Sequence, residues 1–182
     1  MPKKLSSMKE AQKTRKIEDI AQIVLDLLKH YEAVKNDYQL YRPFEVLIRD
    51  LAFNPLHWGK ERGVSCAAKK IADNDIKFSK SMYDLRYVKA DQLRRLKDPK
   101  RPGKKDAALE LDHYEPVNKL RDKLFALKKP CLQDVINVME QASVNVITWQ
   151  EHEARTKFDE ENNYLRTPKE AYRFAKIDLF KY

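Results

Sequence analysis

The sequence predicts an α+β protein that is mostly helical, with two short strands set around a helical insert. Three observations lead there. Apolar residues recur every three or four positions through much of the amino-terminal region and again between Val117 and Met139, the period of amphipathic helices. Two short stretches, LELDHY and SVNVIT, alternate with a period of two instead. Only three glycines occur in 182 residues, too few for an architecture of strands and tight turns.

Residues 1–16 are polar, basic and without periodicity, so they read as a flexible tail. From Ile17 the series Ile17, Ile20, Val24, Leu27, Leu28, Tyr31 and Val34 marks one face of a long helix. A second helix is expected to start at Pro43, because proline suits a first helical position, and to bury Phe44, Leu47, Ile48 and Leu51. Residues 61–95 read as mostly helical. The segment RRLKDPKRPGKKD, residues 94–106, holds seven basic residues, two prolines and a glycine, which marks an exposed loop. The expected division is therefore a tail over 1–16, a helical region over 17–106 ending in the basic loop, and a third region over 107–182.

That third region opens with a strand over Leu109–Tyr114. Val117, Leu120, Leu124 and Leu127 give one short helix, and Leu132, Val135, Ile136 and Met139 give another, with Pro130 between them. The second strand follows, with Val144 and Val146 on one face and Asn145 and Ile147 on the other. Thr148 and Glu151 match a capping box, which starts a helix at Trp149 and puts His152 in its first turns. Thr167 and Glu170 match a second box, opening a last helix that runs to about Ile177. A helical pair as apolar as 117–139 has to cover its face. The expected cover is the stripe of Ile20, Val24, Leu27 and Leu28.

Charge narrows the partners. With 37 Lys+Arg against 28 Asp+Glu the chain carries a formal +9, which points to a polyanion. The basic loop supplies candidate phosphate contacts in Lys97, Lys100, Arg101, Lys104 and Lys105. No apolar run approaches the roughly 20 residues that span a bilayer, and MPKKLSSMKEAQKTRK lacks the apolar core of a signal peptide. Cys66 and Cys131 form no CxxC pair and fit a reducing compartment. The expectation is a cytoplasmic protein with no membrane partner.

The chemistry concentrates in LELDHYEPV and NVITWQEHEARTK. Together these stretches resemble the two halves of an HNH endonuclease, the ββα-metal finger, over about residues 107–158. The resemblance implies a fold in which a helical amino-terminal region is followed by such a finger, here with a helical insert between its two strands. It implies Asp112 and His152 as ligands of a divalent metal and His113 as general base. A polar residue near the second strand would orient His113, with Ser143 and Asn145 both in range and Asn145 favoured because an amide oxygen accepts well from a ring N–H. Arg155 and Thr156 continue the helix half of the motif, Arg155 as a nucleic-acid contact. The implied activity is metal-dependent phosphodiester hydrolysis, with DNA as substrate; the alternative is a basic, non-enzymatic nucleic-acid-binding or regulatory protein carrying a degenerate finger.

The residue types suit that reaction. An imidazole, with an ordinary pKa of about 6.5, is a suitable base toward water. A divalent ion neutralises charge on phosphate and leaving oxygen. One carboxylate and one imidazole favour Mg²⁺ or Mn²⁺ and also admit Ni²⁺ or Zn²⁺. One geometric condition attaches. Neighbours in a regular strand face opposite ways, so Asp112 and His113 serve one site only where the strand ends or bulges, and Pro116 favours an ending.

Overall fold

The computed structural model describes residues 17–30, 38–53, 63–75, 85–86, 90–101 and 106–180. The tail 1–16, the 54–60 segment with His57 and Trp58, and Lys104 and Lys105 of the basic loop lie outside the described residues. The chain is α+β and mostly helical. Residues 17–28 are helical. The elements that follow are α1 (Tyr38–Phe53), α2 (Cys66–Asn74), α3 (Ala90–Leu93), β1 (Leu109–His113), α4 (Val117–Phe125), α5 (Leu132–Met139), β2 (Val144–Thr148), α6 (Trp149–Glu161) and α7 (Pro168–Phe174).

The molecule divides into two compact units that interleave along the chain: Met1–Lys60 with Glu115–Ser143, and Glu61–Tyr114 with Val144–Tyr182. The first is helical. Ile17, Ala21 and Val24 are buried along the first helix, Phe44 and Ile48 along α1, and Leu120, Leu124, Val135 and Met139 along α4 and α5. The insert therefore covers its apolar face within this unit. Its documented partner is α1: the Phe44 and Phe125 rings meet edge to face at 5.0 Å, a favourable aromatic geometry. Arg121 Nη1 pairs with Glu45 at 2.6 Å beside them.

Helix α1 differs from the expectation. It begins at Tyr38, so Pro43 stands inside it and not at its first position. Proline there removes one N–H from the ladder. Phe44 and Ile48, each 1% exposed, are buried on this helix as expected.

In the second unit β1 and β2 pair antiparallel without a break, from Leu109↔Thr148 to His113↔Val144. All five residues of β2 are buried, so both of its faces are covered. Val146 packs with Val64, Ala68, Leu93, Leu96 and Leu109 in one cluster. Ile147 joins Tyr172 and Ile177 in another. Gly63–Ser65, expected as helix, runs extended along β2, with Ser65 N–H donating to Val146 O at 2.9 Å and Val146 N–H to Gly63 O at 2.8 Å. Both capping boxes form as read. Thr148 Oγ1 accepts from Glu151 N–H and starts α6; Thr167 Oγ1 accepts from Glu170 N–H and starts α7, which ends at Phe174.

Candidate functional site

The motif residues lie in the second unit, where β1 and β2 form a hairpin-like sheet and α6 follows β2 directly. Asp112 sits opposite Asn145 in the ladder, and His113 opposite Val144. Strand alternation then gives Asp112 and Asn145 one face and His113 the other. The strand does end at His113, and the reason is visible. Arg155 from α6 donates to His113 O at 2.6 Å and Tyr114 O at 3.0 Å, satisfying carbonyls that a longer strand would have paired.

Asp112 is the centre of a buried polar network. It is 5% exposed, like Asn145, and Arg155 is 4% exposed. One Asp112 oxygen, Oδ2, accepts from both Arg155 Nη1 and the Tyr172 hydroxyl, the latter at 2.6 Å. Tyr172 Oη accepts in turn from Asn145 Nδ2 at 2.8 Å, and Asn145 Oδ1 accepts from Gly63 N–H at 3.0 Å. Burial, reinforced by the neighbouring Asp112 carboxylate, pushes the Tyr172 phenol well above its ordinary pKa, so it stays a hydrogen-bond donor. The Arg155 guanidinium also lies over the Tyr172 ring, 5.2 Å from its centre.

The other Asp112 oxygen, Oδ1, looks toward α6, 3.8 Å from His152 Nε2. The opposite edge of that imidazole is occupied by a carboxylate that sequence reading passed over: Nδ1 lies 3.1 Å from Glu110 Oε2. Arg101 holds Glu110 through Nη2 and donates to Ala107 O at 2.9 Å. A line of polar contacts thus runs from Arg101 through Glu110, His152 and Asp112 to Arg155. A cleft of about 460 Å³ opens beside His152, lined also by Arg101, Trp149, Glu153, Thr156, Lys157 and Glu160.

The fit of a metal turns on that gap. A neutral imidazole carrying its proton on Nδ1, toward Glu110, presents a lone pair at Nε2, and Asp112 Oδ1 presents another across from it. Neighbouring ligands on an octahedral ion with ~2.1 Å bonds stand about 3.0 Å apart, so these two acceptors, 3.8 Å apart, would have to close slightly to share a small divalent cation. An ion such as Mg²⁺ is commonly held by one or two carboxylates with waters completing its shell. A hydrated divalent ion here would have two protein donor atoms, Asp112 Oδ1 and His152 Nε2; no cluster of three or more His, Cys, Asp or Glu ligands occurs among the described residues. Arg155 beside Asp112 reduces the local negative potential and so weakens that affinity.

Several expected contacts take other positions. Asn145 lies on Asp112's side of the ladder and is engaged by Gly63 and Tyr172, which gives its amide a seat away from the orienting role expected toward His113. Arg155 was expected to meet nucleic acid, yet it is buried against Asp112 and two carbonyls. Arg101 is held by Glu110, its side chain only 12% exposed. Lys97 pairs with Asp106 at the surface, whereas Lys100 is exposed.

The described part of the basic loop, residues 94–101 and 106, is also folded back on the protein. Asp98 Oδ2 accepts from the Trp149 indole N–H at 2.9 Å, and Asp98 N–H donates to Asp106 O at 2.7 Å. Trp149 and Lys100 N–H, which donates to the other Asp98 oxygen, hold that carboxyl below its ordinary range. Lys100→Gln is therefore expected to lower the slope of log K against log salt for duplex DNA by about 0.9, one phosphate contact. Arg101→Gln should leave the slope unchanged. A larger change for Arg101 than for Lys100, by fluorescence anisotropy at several salt concentrations, would reverse this assignment.

The chain matches no family model, no curated protein and no solved structure.

Proposed function

We propose that the second unit carries a divalent-metal-dependent phosphodiesterase site of the HNH, ββα-metal type, acting on DNA. The observation that carries the reading is the approach of Asp112 Oδ1 to His152 Nε2, 3.8 Å apart, brought about by two antiparallel strands and the helix after them. Asp112 and His152 would hold the ion. When bound, it supplies Lewis-acid neutralisation of the phosphate and of the departing oxygen. His113, half-buried at the end of β1 on the strand face opposite Asp112, would act as the base toward water only by turning its side chain around the strand end. Glu110 faces the rear of the His152 ring. The formal +9 of the chain favours approach of a polyanion.

A second reading is favoured by one observation: Asp112 Oδ2 is already engaged by both Arg155 and Tyr172. A site closed in this way suits a protein that binds nucleic acid without cutting it. Supercoiled plasmid with Mg²⁺ or Mn²⁺ separates the two. The nuclease reading expects nicking or linearisation that chelator stops. His113→Ala is then expected to slow cleavage about a hundredfold or more with DNA affinity nearly intact, and His152→Ala to raise the metal concentration needed. DNA binding with no cleavage under any of these ions leaves the binding reading standing and removes the enzymatic one.

A further inference from the structure

We propose that Tyr172 is a positioning residue for Asp112: it is the last link of a buried relay from Gly63 through Asn145 that holds Oδ2 and leaves Oδ1 turned to His152. The metal-binding consequence rests on the reading above. The relay has a fixed direction. Gly63 N–H has only a proton to give, and it gives it to Asn145 Oδ1. That sets the amide so that Nδ2 donates to Tyr172 Oη. A phenol has one proton, and with its oxygen already accepting, the proton goes to Asp112 Oδ2 at 2.6 Å.

Two further features show that this line is built into the fold. Tyr172 comes from α7 and is 5% exposed, its ring packed edge to face on Tyr114 at 5.1 Å. A Cβ at position 63 would collide with Asn145 Oδ1, so glycine there is what lets the amide reach its seat. Arg155 also binds Oδ2, but it approaches from α6 and fixes charge and the strand end as well. At Asp112 the Tyr172 hydroxyl adds direction and no charge. Without its hydroxyl the carboxylate can turn about its terminal bond and share both oxygens with the guanidinium.

The test uses the full chain. By calorimetry, Tyr172→Phe is expected to weaken Mn²⁺ binding about 10- to 100-fold, the range for a group that orients a ligand. Asn145→Ala should weaken it by a smaller factor, and should add nothing in the Tyr172→Phe background, since it acts through the phenol. A purely structural role would let the two effects add. In metal-free protein the Asp112 ¹³Cγ resonance should move in Tyr172→Phe. Unchanged Mn²⁺ affinity in a folded Tyr172→Phe protein, or full additivity with Asn145→Ala, overturns the relay. Wild-type protein that takes up no Mn²⁺ overturns the metal reading instead, and the carboxylate resonance then decides the relay: shifted, it stands; unmoved, it falls. Should Tyr172→Phe fail to fold, Gly63→Ala, which displaces Asn145 and leaves Tyr172 and Asp112 in place, is judged by the same two readouts.

Discussion

Arg155→Met is expected to lower the unfolding free energy of the second unit by about 3 to 5 kcal/mol, the cost of leaving one member of a buried ion pair without its partner. Side-chain exposure of 5% for Arg155 and 7% for Asp112 puts the pair well inside the protein. Methionine fills much of the volume but gives Asp112 no cation, and it leaves the carbonyls of His113 and Tyr114 without the donor that satisfies them. An exposed pair would cost at most about 1 kcal/mol, so the magnitude discriminates. Native-state hydrogen exchange at residues 109–113, 144–148 and 149–161, in the single variant and in Arg155→Met/Asp112→Asn, tests the cause. Removing the negative charge should recover part of the loss, because the neutral amide no longer needs a counter-charge. A loss of about 1 kcal/mol or less, or no recovery in the double variant, would mean that water reaches the pair.

Arg155 also illustrates what the sequence discloses and what it withholds. His152, Arg155 and Asp159 follow one another at three and four positions, so a single stripe of α6 is apparent from spacing. Residue type does not reveal whether that stripe faces solvent or Asp112, and a basic residue in a chain of +9 reads first as a phosphate contact. Local signals carried through well. Both capping boxes and both insert helices form near where their spacing puts them, the first insert helix stopping at Phe125 short of Leu127, because cap and period depend on residues within one or two turns. Tyr172 gave no such signal. Its partner Asp112 is 60 residues away, and one tyrosine in the stretch EAYRF has no pattern of its own. Gly63–Ser65 is too short for a period of two to show, yet it pairs with β2. Pro43 misled because a proline suits a first helical position without fixing where a helix begins.

Leu124→Ala is expected to cost about 2 to 5 kcal/mol, through lost apolar transfer and the cavity left behind. Leu124 is 0% exposed, and Leu120, one turn earlier on α4, is 1% exposed. The neighbouring Phe125 ring is held by Phe44, so α4 has little freedom to close over a void. The residues of the proposed site lie in the other unit, which makes the loss separable from chemistry. Native-state hydrogen exchange reads it best, since one unfolding free energy is not well defined for two units. Amide protection in residues 38–53, 117–125 and 132–139 should fall together, and Mn²⁺ affinity per folded molecule should hold. The chain fixes one qualification in advance: the insert begins just past His113 and ends just before Val144, the two residues that close the ladder. Protection at the Asp112–Asn145 end of the sheet should therefore fall more than at Leu109–Thr148. A loss below about 1 kcal/mol would mean that the site collapses around alanine. Equal loss of protection at both ends of the sheet would mean that the insert and the sheet unfold as one.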